Sequence, residues 1–127
     1  AHFGATGILV KGSDKKISSA AAYRTAEGGA EYVDVAFVES WKEVFTLAQK
    51  YKFKTIATSS HLGESLYSFK YPDRTLLFMG AEGPGLEKDL IGVTQLHVQI
   101  PGTKNVESLN VATATSALLG EWFRQVQ

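Results

Sequence analysis

Apolar positions along this chain follow two periods, near two and near 3.6 residues, and the switches between them outline its elements. Ile8-Leu9-Val10 is a short apolar strand segment, entered through Ala1-His2-Phe3-Gly4-Ala5-Thr6-Gly7. That opening has no polar lead-in and no starting methionine; it reads as the end of a helix and suggests a chain cut from a longer protein. Ser18 or Ser19 can cap a short helix over Ala20 to Glu27, which Gly28-Gly29 stops. Tyr32 to Val38, rich in β-branched and aromatic residues, predicts a strand. Ser40-Trp41-Lys42-Glu43 then forms a capping box, serine at the cap and glutamate three residues on. Trp41, Val44, Phe45, Ala48 and Tyr51 recur at helical spacing, with Lys50 and Lys52 favourably placed at the carboxyl end. Thr55 to Thr58 resumes as a strand, ending in Ser59-Ser60. Strand, helix and strand over residues 32–58 predict a parallel, right-handed βαβ unit.

His61 to Asp73 reads as a polar connection with some aromatics. Leu76-Leu77-Phe78-Met79 is continuously apolar, as expected of a central strand covered on both faces in a parallel sheet. It runs into Gly80-Ala81-Glu82-Gly83-Pro84-Gly85 and a short helix over Leu86 to Ile91. Leu96-His97-Val98-Gln99-Ile100 alternates and predicts another strand, with His97 a surface residue on its polar side. Pro101-Gly102 stops it. Ser108 can cap a last helix from Leu109 to about Arg124. Residues 109–115 are small or apolar almost all round, which predicts burial on most faces. Asn110, embedded there, is costly unless hydrogen-bonded; it either brackets the helix start or holds a loop or substrate. The expected fold is α/β, a mostly parallel sheet flanked by helices, in one domain over residues 1–127.

Composition narrows the chemistry. At 127 residues the chain can build one sizeable core but not two. No apolar run is long enough to span a bilayer and no signal-peptide pattern opens the sequence, so no membrane association and a cytoplasmic location are expected. The absence of cysteine removes disulfides, thiolate nucleophiles and cysteine metal sites. His2, His61 and His97 have no metal-compatible spacing, so no metal is assigned. Thirteen basic and thirteen acidic residues cancel, which counts mildly against unaided nucleic-acid binding. Local clusters at Lys11/Lys15/Lys16 and Lys50/Lys52/Lys54 each read singly as solvated loop or helix-end charge.

The glycine-rich turn after Met79 is the main candidate site. Open α/β sheets bind ligands at the carboxyl ends of their strands. Gly80, Gly83 and Gly85 allow close backbone approach or positive φ, and Glu82 is the only charged acceptor among them. The turn lacks the G-x-G-x-x-G spacing of a dinucleotide site, which disfavours a nucleotide-binding oxidoreductase. No Lys-Ser/Thr follows as in a P-loop, and Glu82 would repel a phosphate.

Three stretches carry a resemblance: Leu77-Phe78-Met79-Gly80-Ala81-Glu82-Gly83-Pro84-Gly85-Leu86, Ile100-Pro101-Gly102 and Ser108-Leu109-Asn110-Val111-Ala112. In order and spacing they resemble motifs two and three of the SpoU-type RNA 2′-O-ribose methyltransferases, of the knotted SPOUT class, and the resemblance covers essentially the whole chain. It implies a carboxyl-terminal trefoil knot, which general experience of chain topology would argue against. It also implies S-adenosylmethionine as cofactor, tRNA or rRNA as substrate, and a homodimer. By position, Gly80, Ile100 and Leu109 would line the cofactor pocket, Gly83 would add close approach, and Thr58 and Ser59 would face the same pocket. Glu82, Ser108 and Asn110 match the family's functional polar positions. The family's first motif carries an asparagine and, before the position equivalent to Ala1, a catalytic arginine. The sequence begins after both, so the resemblance implies a fragment that binds cofactor poorly or moderately and does not itself catalyse. An RNA-binding extension in the parent would compensate for the neutral charge. The other reading is a non-catalytic knotted module that dimerises and holds RNA or cofactor.

Overall fold

The computed structural model describes residues 1–12, 24, 26, 28–80, 85–103 and 105–127. The chain divides into two compact units, Ala1–Thr46 and Leu47–Gln127. In the first, β1 (Gly7–Lys11) pairs in parallel with β2 (Asp34–Val38), from Gly7 opposite Asp34 to Lys11 opposite Val38. The helix expected over residues 20–27 falls almost wholly outside the described residues. Gly28, at φ 83°, follows it and opens a 3-10 turn over Gly29–Glu31.

Helix α1 (Trp41–Lys50) starts where its cap predicts, with Ser40 Oγ accepting from the Lys42 N–H at 3.2 Å. Val44 and Ala48, four apart, are its buried positions. At its end the Lys52 N–H donates to the Gln49 carbonyl and the Phe53 N–H to the Ala48 carbonyl. Such a pair closes a helix on a left-handed residue that is usually glycine. Here that residue is Lys52, at φ 59°, and an L side chain in this conformation costs roughly 1–2 kcal/mol.

The second unit holds β3 (Lys54–Ser59), β4 (Glu64–Ser65), β5 (Thr75–Phe78), α2 (Lys88–Val93), β6 (Leu96–Gln99) and α3 (Val111–Val126). Its sheet runs β4-β6-β3-β5, and every pair is parallel. Three expectations change here. β2 and β3 flank α1 as expected, but they belong to different sheets: β2 pairs with β1, and β3 with β5 and β6. The expected βαβ unit does not form, because periodicity locates strands without naming their partners. β5 is not central but an edge strand of its sheet; it is β6 and β3 that are paired on both sides. The connection after β3 is not merely polar. One helical turn, closed by the Phe69 N–H donating to the Ser65 carbonyl, brings Leu66 and Phe69 into the core.

That core is Ile56, Leu66, Phe69, Val98 and Leu118, with Tyr71, Leu77, Met79, Leu96 and Ile100 packed against it. Polar bonds fasten α3 over it. Gln125 accepts from the Tyr71 N–H at 3.0 Å and donates to the Phe69 carbonyl at 2.8 Å, satisfying backbone that no ladder serves. The Tyr71 hydroxyl donates to the Leu118 carbonyl, and burial, with Glu121 nearby, pushes its pKa up to about 12. Arg124 donates twice to Glu121, at 2.8 and 2.6 Å, and Gln125 once, at 2.7 Å. These bonds, Arg124's foremost, hold the Glu121 carboxyl down at about 2 from an ordinary 4.5. A carboxyl lowered in the folded state stabilises above its unfolded value and loses that contribution as pH falls through the folded one. Unfolding midpoints in urea are therefore expected to drop between pH 4.5 and pH 2. In Glu121→Gln this part of the drop should vanish.

β6 sits between β3 and β4, although both precede it in the chain. Ser59 and Ser65 both lie opposite Gln99, so residues 60–63 arch over the carboxyl end of β6 from one side to the other. Gly63 holds the arch down. At φ 117° it approaches the peptide joining His97 to Val98 so closely that a Cβ would lie 2.6 Å from the His97 carbonyl carbon. Gln99 Nε2 donates to the Gly63 carbonyl at 3.0 Å. His97 is half-buried rather than a surface residue. Its Nε2 donates to the Ile91 carbonyl at 2.9 Å, and Thr94 Oγ1 donates to the same carbonyl, so together they finish α2.

The last helix starts later than expected and is less buried. Asn110, not Ser108, is its cap, with Oδ1 accepting from the Ala112 N–H at 2.9 Å. Leu109, Ala112, Thr113, Ser116 and Ala117 are exposed, and Leu118 is the first fully buried position. Small apolar side chains satisfy a buried helix pattern without requiring that this chain itself cover them.

Candidate functional site

Because the sheet is parallel, its strands deliver their carboxyl ends to one edge. Ser59 lies opposite Gln99, which places Ile100 one residue beyond. The β3–β5 register sets Ala57 opposite Phe78, and continuing that offset carries Gly80 level with Ser59. The structure thus brings Thr58, Ser59, Gly80 and Ile100 to one edge, four of the residues proposed from sequence. Ser108, Leu109 and Asn110 form the run-in to α3. Glu82 and Gly83 lie outside the described residues.

Each side chain at this edge has a local cause. Thr58 Oγ1 donates to the Phe78 carbonyl at 2.9 Å, extending the β3–β5 attachment past the last ladder bond. Ser59 Oγ accepts from the His61 and Leu62 N–H groups at 3.1 Å each, the serine turn that starts the arch over β6. Both hydroxyls shape the edge from within. Gly80 does the same by having no side chain. A Cβ there would lie 2.6 Å from the Gly85 carbonyl carbon and 2.7 Å from the Leu86 nitrogen, so the turn closes backbone on backbone. Gly85 completes the closure at φ 71°. Ile100 is half-buried against the core and Leu109 is 51% exposed, both apolar. Asn110 Oδ1 serves the helix cap.

Sequence reasoning missed two contributors, Gly63 and Gln99, which set the arch against β6. Nothing in the local pattern marks them, since a glycine in a polar connection acquires its role only from the strand it lies on. Among the described residues no group of His, Asp and Glu is arranged to hold a metal ion, and no helix is long and apolar enough to cross a membrane.

A parallel sheet whose carboxyl edge carries a glycine-closed turn is the layout of a ligand-binding α/β domain. Residues 1–120 match the model of the SpoU rRNA Methylase family, and the chain belongs to that family. It is 38% identical over 125 residues to a protein of Escherichia coli O157:H7 named as an uncharacterized tRNA/rRNA methyltransferase, YfiF, covering 98% of this chain and 36% of that protein. It is 33% identical over 111 residues to the 23S rRNA (guanosine-2′-O-)-methyltransferase RlmB of Salmonella typhi, covering 84% of this chain and 44% of that one. The chain therefore spans less than half the length of these relatives. Among solved structures, the SpoU methyltransferase AviRb of Streptomyces viridochromogenes, in complex with the cofactor AdoMet, superposes with a TM-score of 0.89 at 27% identity, covering 98% of this chain and 49% of that one.

Proposed function

We propose that this chain is the cofactor-binding domain of an S-adenosylmethionine-dependent RNA 2′-O-ribose methyltransferase acting on tRNA or rRNA. The observation that carries the reading is the convergence of Thr58, Ser59, Gly80 and Ile100 on one sheet edge, in a chain of this family. The residues fit an adenosyl group. Ile100 and Leu109 offer apolar surface for a base, and the Gly80 closure leaves backbone rather than side chain at the turn. Gly83 would add close approach, while Thr58 and Ser59 keep the edge in shape. Bound there, the cofactor supplies an electrophilic methyl group. In the whole enzyme the protein's task would be to orient a ribose hydroxyl in line with it and to assist loss of the hydroxyl proton, and this chain would contribute the cofactor-holding part. Asn110 caps the start of α3; Glu82 and Asn110 would fix the loops and the cofactor or nucleotide, and Ser108 is the third of the family's functional polar positions.

The order β4-β6-β3-β5 supports a carboxyl-terminal trefoil knot, because the chain leaving β6 must pass the arch of residues 60–63. The exposed small residues of α3 support a homodimer, since they let a second helix approach closely. Such an enzyme would meet its RNA in the cytoplasm.

Calorimetric titration with S-adenosylhomocysteine tests the reading. The chain should bind it, and Leu109→Arg should weaken binding at least tenfold. Leu109 is half-exposed, so its replacement should leave the melting temperature nearly unchanged. Undiminished binding by the variant, or none by the chain, would overturn the assignment.

A further inference from the structure

We propose that the opposite, amino edge of the four-stranded sheet is a second RNA contact that grips the phosphodiester backbone away from the candidate cofactor edge. That the anion is RNA rests on the methyltransferase reading; that the surface takes a polyanion rests on the geometry below.

Lys50, Lys52 and Lys54 lie on the passage from α1 into β3, and Arg74 stands immediately before β5. Lys54 pairs with Thr75, and its N–H donates to the Arg74 carbonyl at 2.8 Å, which joins the two segments at one edge. The Arg74 guanidinium carbon sits 4.6 Å from the centre of the Phe53 ring, and Lys50 Nζ 5.3 Å from that of Tyr51. Tyr51 itself is 51% exposed. Four cations thus face solvent among aromatic rings, with Asp73 the one carboxylate in residues 50–54 and 72–75. None of the four is in an ion pair with a carboxylate among the described residues.

Helix-end electrostatics accounts for Lys50 and Lys52. It does not reach Lys54, which is in a strand, or Arg74, which enters from another segment. Lys52 also holds a left-handed conformation that glycine would adopt without strain. Strain kept where a common substitution would relieve it points to a use for the side chain. Unpaired cations interleaved with an exposed aromatic are the surface that binds a nucleic-acid backbone without reading sequence. The local excess also meets the difficulty raised by the chain's zero net charge, since a patch can bind polyanions in a neutral domain. From Lys54 to Ser59 the strand covers about 17 Å at ~3.3 Å per residue. An RNA with its target ribose at the carboxyl edge need run only that far to reach the patch.

The test is fluorescence anisotropy of the full chain with a labelled RNA duplex across a salt series, with wild type, the double variant K52G/K54Q and Arg74→Gln. Each lost phosphate contact removes roughly 0.7–0.9 from the slope of log affinity against log salt. The double variant should therefore flatten the slope by about 1.4–1.8 and weaken low-salt binding about tenfold or more. Lys52→Gly relieves strain, so the variant should melt no lower than wild type. Its titration with S-adenosylhomocysteine should be unchanged, because the edges are opposite. RNA binding with wild-type affinity and slope in the variants, or no RNA binding by wild type, would overturn this proposal and leave the cofactor reading standing. Patch-dependent RNA binding without S-adenosylhomocysteine binding would do the reverse. A loss confined to a polyglutamate probe would assign the patch to an acidic protein and overturn the RNA contact.

Discussion

Gly80→Ala is expected to weaken S-adenosylhomocysteine binding about tenfold or more, the affinity equivalent of the roughly 1–3 kcal/mol that overpacking costs. The added methyl would sit 2.6 Å from the Gly85 carbonyl carbon, 2.7 Å from the Leu86 nitrogen and 2.9 Å from the Gly85 Cα. All three are backbone atoms, so no side chain can swing aside. The ends of the turn must instead part by roughly 1 Å, and overpacking of this kind also costs about 1–3 kcal/mol of stability. Gly85→Ala is the control. It strains a left-handed backbone but meets nothing within 4 Å among the described residues, so it should cost stability with a smaller effect on binding. Calorimetry and thermal melts on both variants separate the two effects. Wild-type affinity in Gly80→Ala would remove this turn from the binding site.

Leu118→Ala is expected to cost about 2–5 kcal/mol, a large share of the 5–15 kcal/mol that typically holds a domain together. Leu118 is 1% exposed and packs with Ile56, Leu66, Phe69 and Val98, so truncation leaves a hole among strands that are paired on both sides and cannot easily collapse. The bond from the Tyr71 hydroxyl to the Leu118 carbonyl does not depend on the side chain and should persist. Urea unfolding of this variant beside Leu119→Ala, which is only half-buried, measures the difference. A loss below about 1 kcal/mol for Leu118→Ala would mean that α3 is not anchored through this residue.

Much of the candidate site could be proposed before the structure. The glycine turn, the Ile100-Pro101-Gly102 stop and the Ser108-Leu109-Asn110 run-in could all be placed from motif order. Three of the assigned residues nevertheless act differently from what their chemistry suggests in isolation. The Thr58 and Ser59 hydroxyls are bonded within the sheet edge, and Asn110 Oδ1 is bonded within the helix start. A hydroxyl or amide announces hydrogen-bonding capacity in sequence but not which partner takes it up.

By itself the sequence determined the strands β1, β2, β3, β5 and β6, the capped helix α1, and the presence of a glycine-lined turn after an apolar strand. Each of these depends on period, propensity and capping within a few residues. Only the tertiary structure decided that β2 and β3 belong to different sheets, that β5 lies at the edge of its sheet, and that β6 enters between β3 and β4 beneath residues 60–63. It also decided that Leu66 and Phe69 are core and that Gly63 must be glycine. The physical reason is common to all of these. Strand pairing and close approach are set by atoms far apart in the chain, and local periodicity carries no record of the partner.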